Sequence, residues 1–200
     1  ETDQSAVRLI AASETAGETE ELMVGFQIRL AEGWKTYWRS PGDAGYPVQV
    51  DWTGSENLAK ADIVWPAPKR FSVLGLETVG YDADIVLPVA VRPVQVGESL
   101  RLKARVEYLV CETLCIPQHA DLAVHLPSGP ARPSQFAHLI ARFLSQVPGT
   151  EASAGLSIVA ADALGSLAEP VLAVRAQSAV PFVAPDVFVE GPEGLTFGAP

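Results

Sequence analysis

The sequence is short of basic residues and of long apolar runs, and each shortage argues against a class of protein. It has 14 Lys and Arg against 24 Asp and Glu, a formal net charge of −10. This balance argues against nucleic acid as a partner, because phosphate binding needs a cationic surface. The longest apolar run, Ile85 to Val91, is interrupted by Pro88 and falls far short of the roughly 20 residues of a membrane-spanning helix.

What the sequence does contain favours β structure. It has 16 Gly and 16 Pro but a single Met, so chain reversals are frequent and long helices are few. In Leu22–Leu30, apolar residues recur at every second position, which indicates a half-buried strand. Seven such strands are predicted: Ala6–Ala12, Leu22–Leu30, Val48–Trp52, Ile63–Trp65, Ile85–Val91, Leu100–Val110 and Ile116–Leu126. This pattern predicts an all-β fold, an antiparallel β-sandwich, whose core is expected to contain Trp34, Tyr37, Trp38, Trp52 and Trp65.

A short helix and a second β unit are predicted after the sandwich. Ser134 is placed to cap a helical run over Gln135–Gln146, which Val147-Pro148-Gly149 would end. Further strands are predicted at Leu156–Ala160, Val171–Gln177 and Val187–Glu190. We therefore expect a β domain over residues 1–128, a linker and helix over 129–149, and a second β domain over 150–200. A domain of that size is thin, so it is either truncated or dependent on the first domain for its core.

The two cysteines lie four positions apart, at Cys111 and Cys115. The alternation of the flanking strands places each of them with the polar residues, so both are expected on the solvated face. In one continuous strand their Cα atoms would lie about 13 Å apart, too far for a disulfide. A three-residue hairpin loop would instead bring them opposite each other at its tip. The sequence thus predicts a bent tip wherever the pair is bonded.

Three chemical roles are open for this pair. A disulfide that closes so short a loop removes unfolded-state entropy worth only about 2 kcal/mol, which favours a redox pair over a passive staple. A copper-binding module would use Cys111, Cys115 and His119, but these share one side of a helix rather than of a strand. The nearest charges are Glu107 and Glu112, and no helix start is evident. We therefore expect thiols that react slowly outside a docked complex.

A set of uncommon motifs runs through the first part of the chain. These are Gly33–Gly45, Asp51-Trp52, Ile63–Pro68, Gly80-Tyr81 and the cysteine segment Tyr108–Pro117. In this order they resemble the N-terminal periplasmic domain of the DsbD/ScsB family of thiol:disulfide interchange proteins, with the greater similarity to ScsB. The resemblance covers about residues 20–128. The cysteine spacing is shorter than in DsbD, so details of that active site do not transfer.

The resemblance implies an immunoglobulin-like domain with protein-disulfide reductase activity, located in the periplasm and tethered to the inner membrane within a larger protein. The family's catalytic pair maps onto Cys111 and Cys115, with Cys115 in the partner-linked position. An aromatic cap loop over the disulfide would fall on Phe71 and Leu74.

The resemblance also implies the direction of electron flow. A membrane-embedded domain, of the same or a partner protein, would donate electrons. Thioredoxin-like proteins, either ScsC-like isomerases or peroxide-reducing proteins, would accept them. No flavin or nicotinamide motif is present, so no cofactor is expected and the donor must lie outside these 200 residues. The rival interpretations are a copper-binding module on Cys111 and Cys115 and a passive β-sandwich interaction module with a structural disulfide.

Overall fold

The structure is a computed structural model that describes residues 2–73, 75–149, 155–166, 169–191 and 197–200. The chain divides into two compact units. Unit 1 comprises Glu1–Val147 and Val189–Gly198, and unit 2 comprises Pro148–Phe188 with Ala199–Pro200. None of the helices in the described ranges is both long and apolar enough to cross a bilayer.

Unit 1 is built from two antiparallel sheets. One contains, in spatial order, β1 (Ser5–Ala11), β2 (Leu22–Leu30), β8 (Ile85–Pro93) and β5 (Leu58–Ile63). The other contains β10 (Cys115–Leu126), β9 (Leu100–Cys111), β3 (Lys35–Gly42), β7 (Leu76–Tyr81) and β6 (Lys69–Val73), with β4 (Gln49–Asp51) paired to β9. This architecture confirms the all-β fold class predicted from the sequence.

Alternating side chains of β2 and β9 supply the core between the sheets. Val24, Phe26 and Ile28 on β2 are fully buried, and along β9 every second residue from Leu100 to Val110 is buried as well. Such burial is worth about 1.5–3 kcal/mol for each large apolar side chain. The two sheets also meet through a polar contact, because the Ser5 and Tyr108 hydroxyls lie 2.9 Å apart. Five aromatic residues were expected in the core. Three of them are buried, namely Tyr37, Trp38 and Trp65, and two are half-buried, namely Trp34 and Trp52.

The helix α1 (Ala137–Leu144) covers the outer side of the first sheet and is shorter than the predicted run. Ser134 does not cap it directly. Its hydroxyl accepts a hydrogen bond from the Phe136 N–H and donates one to the Ala11 carbonyl, so it shapes the turn that precedes the helix. Gly25 on β2 lies beneath the helix and makes room for Val86 of β8, since a Cβ there would lie 2.7 Å from the Val86 side chain but at an ordinary contact distance of 3.6 Å from Ile140.

Four strands of unit 1 differ from the sequence prediction. The strand expected at Ile63–Trp65 overlaps β5 only at Ile63, where β5 ends. The Val64 N–H still donates to the Pro88 carbonyl on β8, but Pro88 has no N–H with which to extend the ladder. The strands β3, β6 and β7 were not predicted. In β3 three successive residues, Thr36, Tyr37 and Trp38, are buried, so there is no alternation to detect, and its pairing with β7 is irregular before Gly42.

Unit 2 contains, in its described part, the antiparallel hairpin of β11 (Leu156–Gly165) and β12 (Pro170–Ser178). A bulge interrupts the pairing between Ile158 and Ala160. Both strands extend the predicted ones by a few residues. The strand predicted at Val187–Glu190 is not formed, since these residues make no ladder. The domain boundaries drawn from the sequence stay a prediction.

Candidate redox site at the tip of the β9–β10 hairpin

The two cysteines close the tip of the longest hairpin in the described part of the chain. The register pairs Cys111, the last residue of β9, with Cys115, the first residue of β10, at a Cα separation of 4.1 Å. A disulfide joins them. The intervening loop reverses the chain in three residues, with the Glu112 N–H donating to the Leu114 carbonyl at 3.2 Å. The structure therefore has the bent tip that the cysteine spacing predicts.

The two sulfur-bearing residues differ sharply in exposure. Cys115 is exposed to solvent, whereas Cys111 is 0% exposed. The expectation that both lie on the solvated face is therefore wrong for Cys111. The alternation of buried and exposed residues fails at this end of β9 for two reasons. Strand β3 pairs with β9 here, with Lys35 opposite Cys111, and the side chains of Tyr37 and Val73 pack on Cys111.

A small apolar cluster buries Cys111, and we call it the sulfur-covering cluster. It consists of Tyr37, Val73 and Cys111, with Phe71 and Leu109 packed against them. The Phe71 and Tyr37 ring centroids lie 6.3 Å apart. Phe71 lies on β6, and its carbonyl accepts a hydrogen bond of 2.8 Å from the hydroxyl of Thr78 on the neighbouring strand β7.

Of the two residues predicted to form a cap loop, Phe71 lies next to the disulfide site. Phe71 packs against the cluster that covers Cys111, which is a suitable position for a cap. The Lys35 ammonium lies 5.8 Å from the centroid of the same ring, so a positive charge stands beside the aromatic cover. Leu74, the second residue of the predicted loop, lies outside the described residues. A capping role for either residue stays a prediction.

Tyr37 is a site residue that sequence analysis missed. The sequence predicts that it is buried, which is correct, but its hydroxyl also lies 3.9 Å from Sγ of Cys115. Burial raises the pKa of Tyr37. Only the three-dimensional pairing of β3 with β9 brings this hydroxyl to the disulfide, although the glycine-rich motif Gly33–Gly45 contains the residue.

The hairpin does not assemble the ligand set of the copper hypothesis. Cys115 and His119 follow each other on one strand, about 13 Å apart at strand rise, and His119 pairs with Glu107 rather than with a thiol. Among the residues that the structure describes, no group of three His, Cys, Asp or Glu is close enough to hold a metal ion.

A shallow groove runs along the hairpin two residues from Cys115. It has a volume of about 450 Å³ and a mainly apolar lining. The residues that line it are Tyr46, Glu107, Tyr108, Leu109, Pro117, Gln118 and His119. At the tip itself Leu114 is 66% exposed, an unusual degree for a large apolar side chain. The exposed residue Cys115 thus lies between an apolar tip and an apolar groove.

Fold and site together define an immunoglobulin-like β domain that carries a disulfide at a hairpin tip. The family model described as "Thiol:disulfide interchange protein DsbD, N-terminal" matches residues 6–127, and the chain belongs to this family. A second model, described as a domain of unknown function (DUF8393), matches residues 146–200. The family resemblance drawn from the sequence motifs is confirmed.

Among solved structures, the chain is similar to the N-terminal periplasmic domain of ScsB from Proteus mirabilis. The two are 27% identical with a TM-score of 0.76, over 98% of this chain and 74% of that one. The reduced N-terminal domain of DsbD from Neisseria meningitidis matches at 16% identity and a TM-score of 0.34, over 64% of this chain and 90% of that one. No curated protein matches the chain.

Proposed function

We propose that this domain relays electrons by thiol–disulfide exchange through Cys111 and Cys115, and that it works in the periplasm. Membership of the thiol:disulfide interchange family supports the class of reaction. The periplasmic location of the related ScsB domain supports the compartment. The observation that carries the proposal is the unequal exposure of two bonded cysteines, because Cys111 is fully buried and Cys115 is exposed to solvent.

The unequal exposure supports one order of the steps. In the reduced domain, the Cys115 thiolate attacks one sulfur of the acceptor's disulfide, and the other acceptor sulfur leaves as a thiolate that takes up a proton. Cys111 then loses its proton and attacks Sγ of Cys115. This step re-forms the intramolecular disulfide and releases the second acceptor sulfur as a thiol. Two electrons and two protons pass to the acceptor in total.

Cys111 is well placed to resolve the mixed disulfide because it cannot meet an acceptor first. Its side chain is buried under the sulfur-covering cluster, and its Cα lies 4.1 Å from that of Cys115. This burial supports a role for Cys115 in the attack on the acceptor and for Cys111 in the internal step. Reloading runs in reverse, with a donor thiolate attacking Sγ of Cys115 and expelling Cys111.

The proposed partners follow from the family and from the surface. A membrane-embedded domain of the same or another protein would act as donor, and thioredoxin-like periplasmic proteins as acceptors. The exposed Leu114 and the apolar groove beside Cys115 offer a contact surface for such proteins. The redox chemistry would belong to residues 1–128, with residues 129–149 as linker and helix and 150–200 as a second β domain.

Single cysteine variants test this assignment. Cys111→Ala and Cys115→Ala, each reduced, would be mixed with a purified thioredoxin-like protein in its disulfide form, then alkylated and weighed by mass spectrometry. We expect a trapped mixed disulfide with Cys111→Ala and almost none with Cys115→Ala. Fully alkylated wild-type protein is the control for non-covalent association. Equal trapping by both variants would contradict the order of steps. A wild-type disulfide that no thioredoxin-like protein reduces would point to a structural bond instead.

A further inference from the structure

The Tyr37 hydroxyl is a polar group aimed at the reactive sulfur from inside the domain. Its oxygen lies 3.9 Å from Sγ of Cys115, a distance that suits a weak hydrogen bond to sulfur. The ring belongs to β3 and is 0% exposed, so the hydroxyl reaches the disulfide from beneath while an acceptor would arrive from outside. The two approaches do not compete for space.

The surroundings of the ring hold this hydroxyl in place. Gly45, at φ +119°, lies against one face of the ring so closely that a Cβ there would overlap it. Phe71 packs against the ring from β6. The neighbouring Thr36 ties β3 to β9 through a 3.0 Å hydrogen bond to the Leu109 carbonyl. A tyrosine confined in this way cannot turn its hydroxyl to solvent.

The protonation state of Tyr37 also suits a donor. Burial raises the pKa of its phenol, so the group stays neutral over the range in which an ordinary thiol, with a pKa of about 8.5, loses its proton. A neutral phenol beside a thiolate donates a hydrogen bond, and a hydrogen bond to a charged acceptor is stronger than one to a neutral acceptor. The interaction therefore strengthens when Cys115 ionises.

We propose, building on the proposed function, that Tyr37 donates a hydrogen bond to Sγ of Cys115 whenever that sulfur carries negative charge. The phenol keeps its proton throughout. The hydrogen bond stabilises the thiolate before it attacks an acceptor and stabilises the same sulfur if it departs from a disulfide. It supplies an activating neighbour that the nearby sequence, with Glu107 and Glu112, does not provide.

The test compares Tyr37→Phe, which keeps the ring and removes the hydroxyl, with Tyr81→Phe as a matched control. Tyr81 is also a buried tyrosine on this sheet, and its hydroxyl donates to the Pro66 carbonyl rather than to sulfur. Both changes are made in a Cys111→Ala background, where Cys115 is the single thiol. The measurement is the pH dependence of Cys115 alkylation.

We expect Tyr37→Phe to lower the thiolate fraction of Cys115 about three- to tenfold at neutral pH and to move the alkylation midpoint upward accordingly. Alkylation should recover at alkaline pH. Tyr81→Phe should leave the midpoint unchanged. The other charged groups around the site are the same in all variants, so they cancel in the comparison. They are Lys35 on β3, Lys69 and Arg70 on β6, Glu112 in the loop, and Glu107 and His119 on the hairpin.

An unchanged midpoint in Tyr37→Phe, or an equal shift in Tyr81→Phe, would overturn the inference and leave electron exchange intact. A shifted midpoint in a domain that exchanges with no thioredoxin-like protein would support the inference and count against the proposed function. If Tyr37→Phe does not fold, the reduced unmutated domain gives the answer. The Cζ chemical shift of Tyr37 should then follow the titration of Cys115, and a shift that ignores it would refute the hydrogen bond.

Discussion

Phe71 is the side chain best placed to limit access to the covered sulfur. It is only partly buried itself, yet it packs on the cluster in which Cys111 has no exposed surface. Phe71→Ala should therefore open a second path to the disulfide, at Sγ of Cys111, and raise the rate of its reduction by dithiothreitol several-fold above that of attack at Cys115 alone. The lost contacts should also lower the free energy of unfolding by about 1–3 kcal/mol, less than for a fully buried phenylalanine.

Leu76→Ala is the matched control for this change. Leu76 lies on the neighbouring strand β7 and is 45% exposed, so its truncation removes apolar surface near the site without uncovering Cys111. Its reduction rate should equal that of the unmutated domain. If the disulfide of Phe71→Ala is reduced no faster than that of Leu76→Ala, then Phe71 contributes to packing but does not limit access to the disulfide.

The sequence predicts the cysteine pair and its hairpin, but it does not predict that Cys111 is buried while Cys115 is exposed. The hairpin follows from local rules, namely strand rise and the reach of a disulfide, which involve only residues near Cys111 and Cys115. The burial of Cys111 depends on Tyr37 and Val73, which arrive from other strands of the sheet. Alternation describes one strand by itself, so it fails where a third strand covers the end of a hairpin.

The helix α1 offers a clear test of how the first sheet is stabilised from outside. Ile140 is 1% exposed and reaches Gly25 of β2, whereas Leu144, one turn later, is 38% exposed. Ile140→Ala should cost about 2–4 kcal/mol in the free energy of unfolding, and Leu144→Ala less than about 1 kcal/mol. Urea denaturation of both variants measures the difference. Equal losses would mean that the helix does not pack on the sheet through Ile140.

Long, regularly alternating strands are the elements that the sequence predicts well. The limits of β2, β9 and β10 match the predicted ones to within one residue, because each has many alternating positions. By contrast, β6 and β7 are short, and β3 buries successive residues, so they carry no period that sequence analysis can detect. Their strand form comes from pairing with partners already in the sheet, which is a property of the assembled domain.

Buried tyrosines make the stability of the domain sensitive to alkali. Burial raises the pKa of Tyr37, Tyr81 and Tyr108 above the ordinary value of 10.0, with the charge of Arg39 partly offsetting the effect at Tyr81. Above pH 10 the unfolded chain has lost tyrosine protons that the folded domain still holds. The free energy of unfolding is therefore complete below pH 10 and falls as the pH rises through the folded pKa values.

Urea denaturation below and above pH 10 measures this fall, and Tyr81→Phe should make it shallower. Tyr81 is a suitable choice because its hydroxyl is buried against the Pro66 carbonyl at 2.8 Å. The variant should be less stable at neutral pH, where that hydrogen bond is lost, but should lose less on going to alkali. A free energy of unfolding that stays level above pH 10 would show that the tyrosines open to solvent in the folded domain.

The proposed relay requires a domain that remains folded in both redox states, and we expect this domain to do so. The disulfide closes a loop with only three residues between the cysteines, so its loss should lower the free energy of unfolding by about 2 kcal/mol. The rest of the hairpin is held by a ladder that runs from Cys111 and Cys115 to Leu100 and Leu126. Urea denaturation of the oxidised domain, the reduced domain and Cys111→Ala/Cys115→Ala measures the loss directly.

We expect all three forms to show the same near-ultraviolet circular dichroism of the buried aromatic residues, with the two forms that lack the bond unfolding at slightly lower urea. The double variant separates loss of the bond from any effect of the reductant. Unfolding on reduction would mean that the bond is a staple, and no acceptor could then find the same surface before and after electron transfer. Folding in both states instead leaves Leu114 and the apolar groove in place for successive partners, which is what repeated exchange at Cys115 requires.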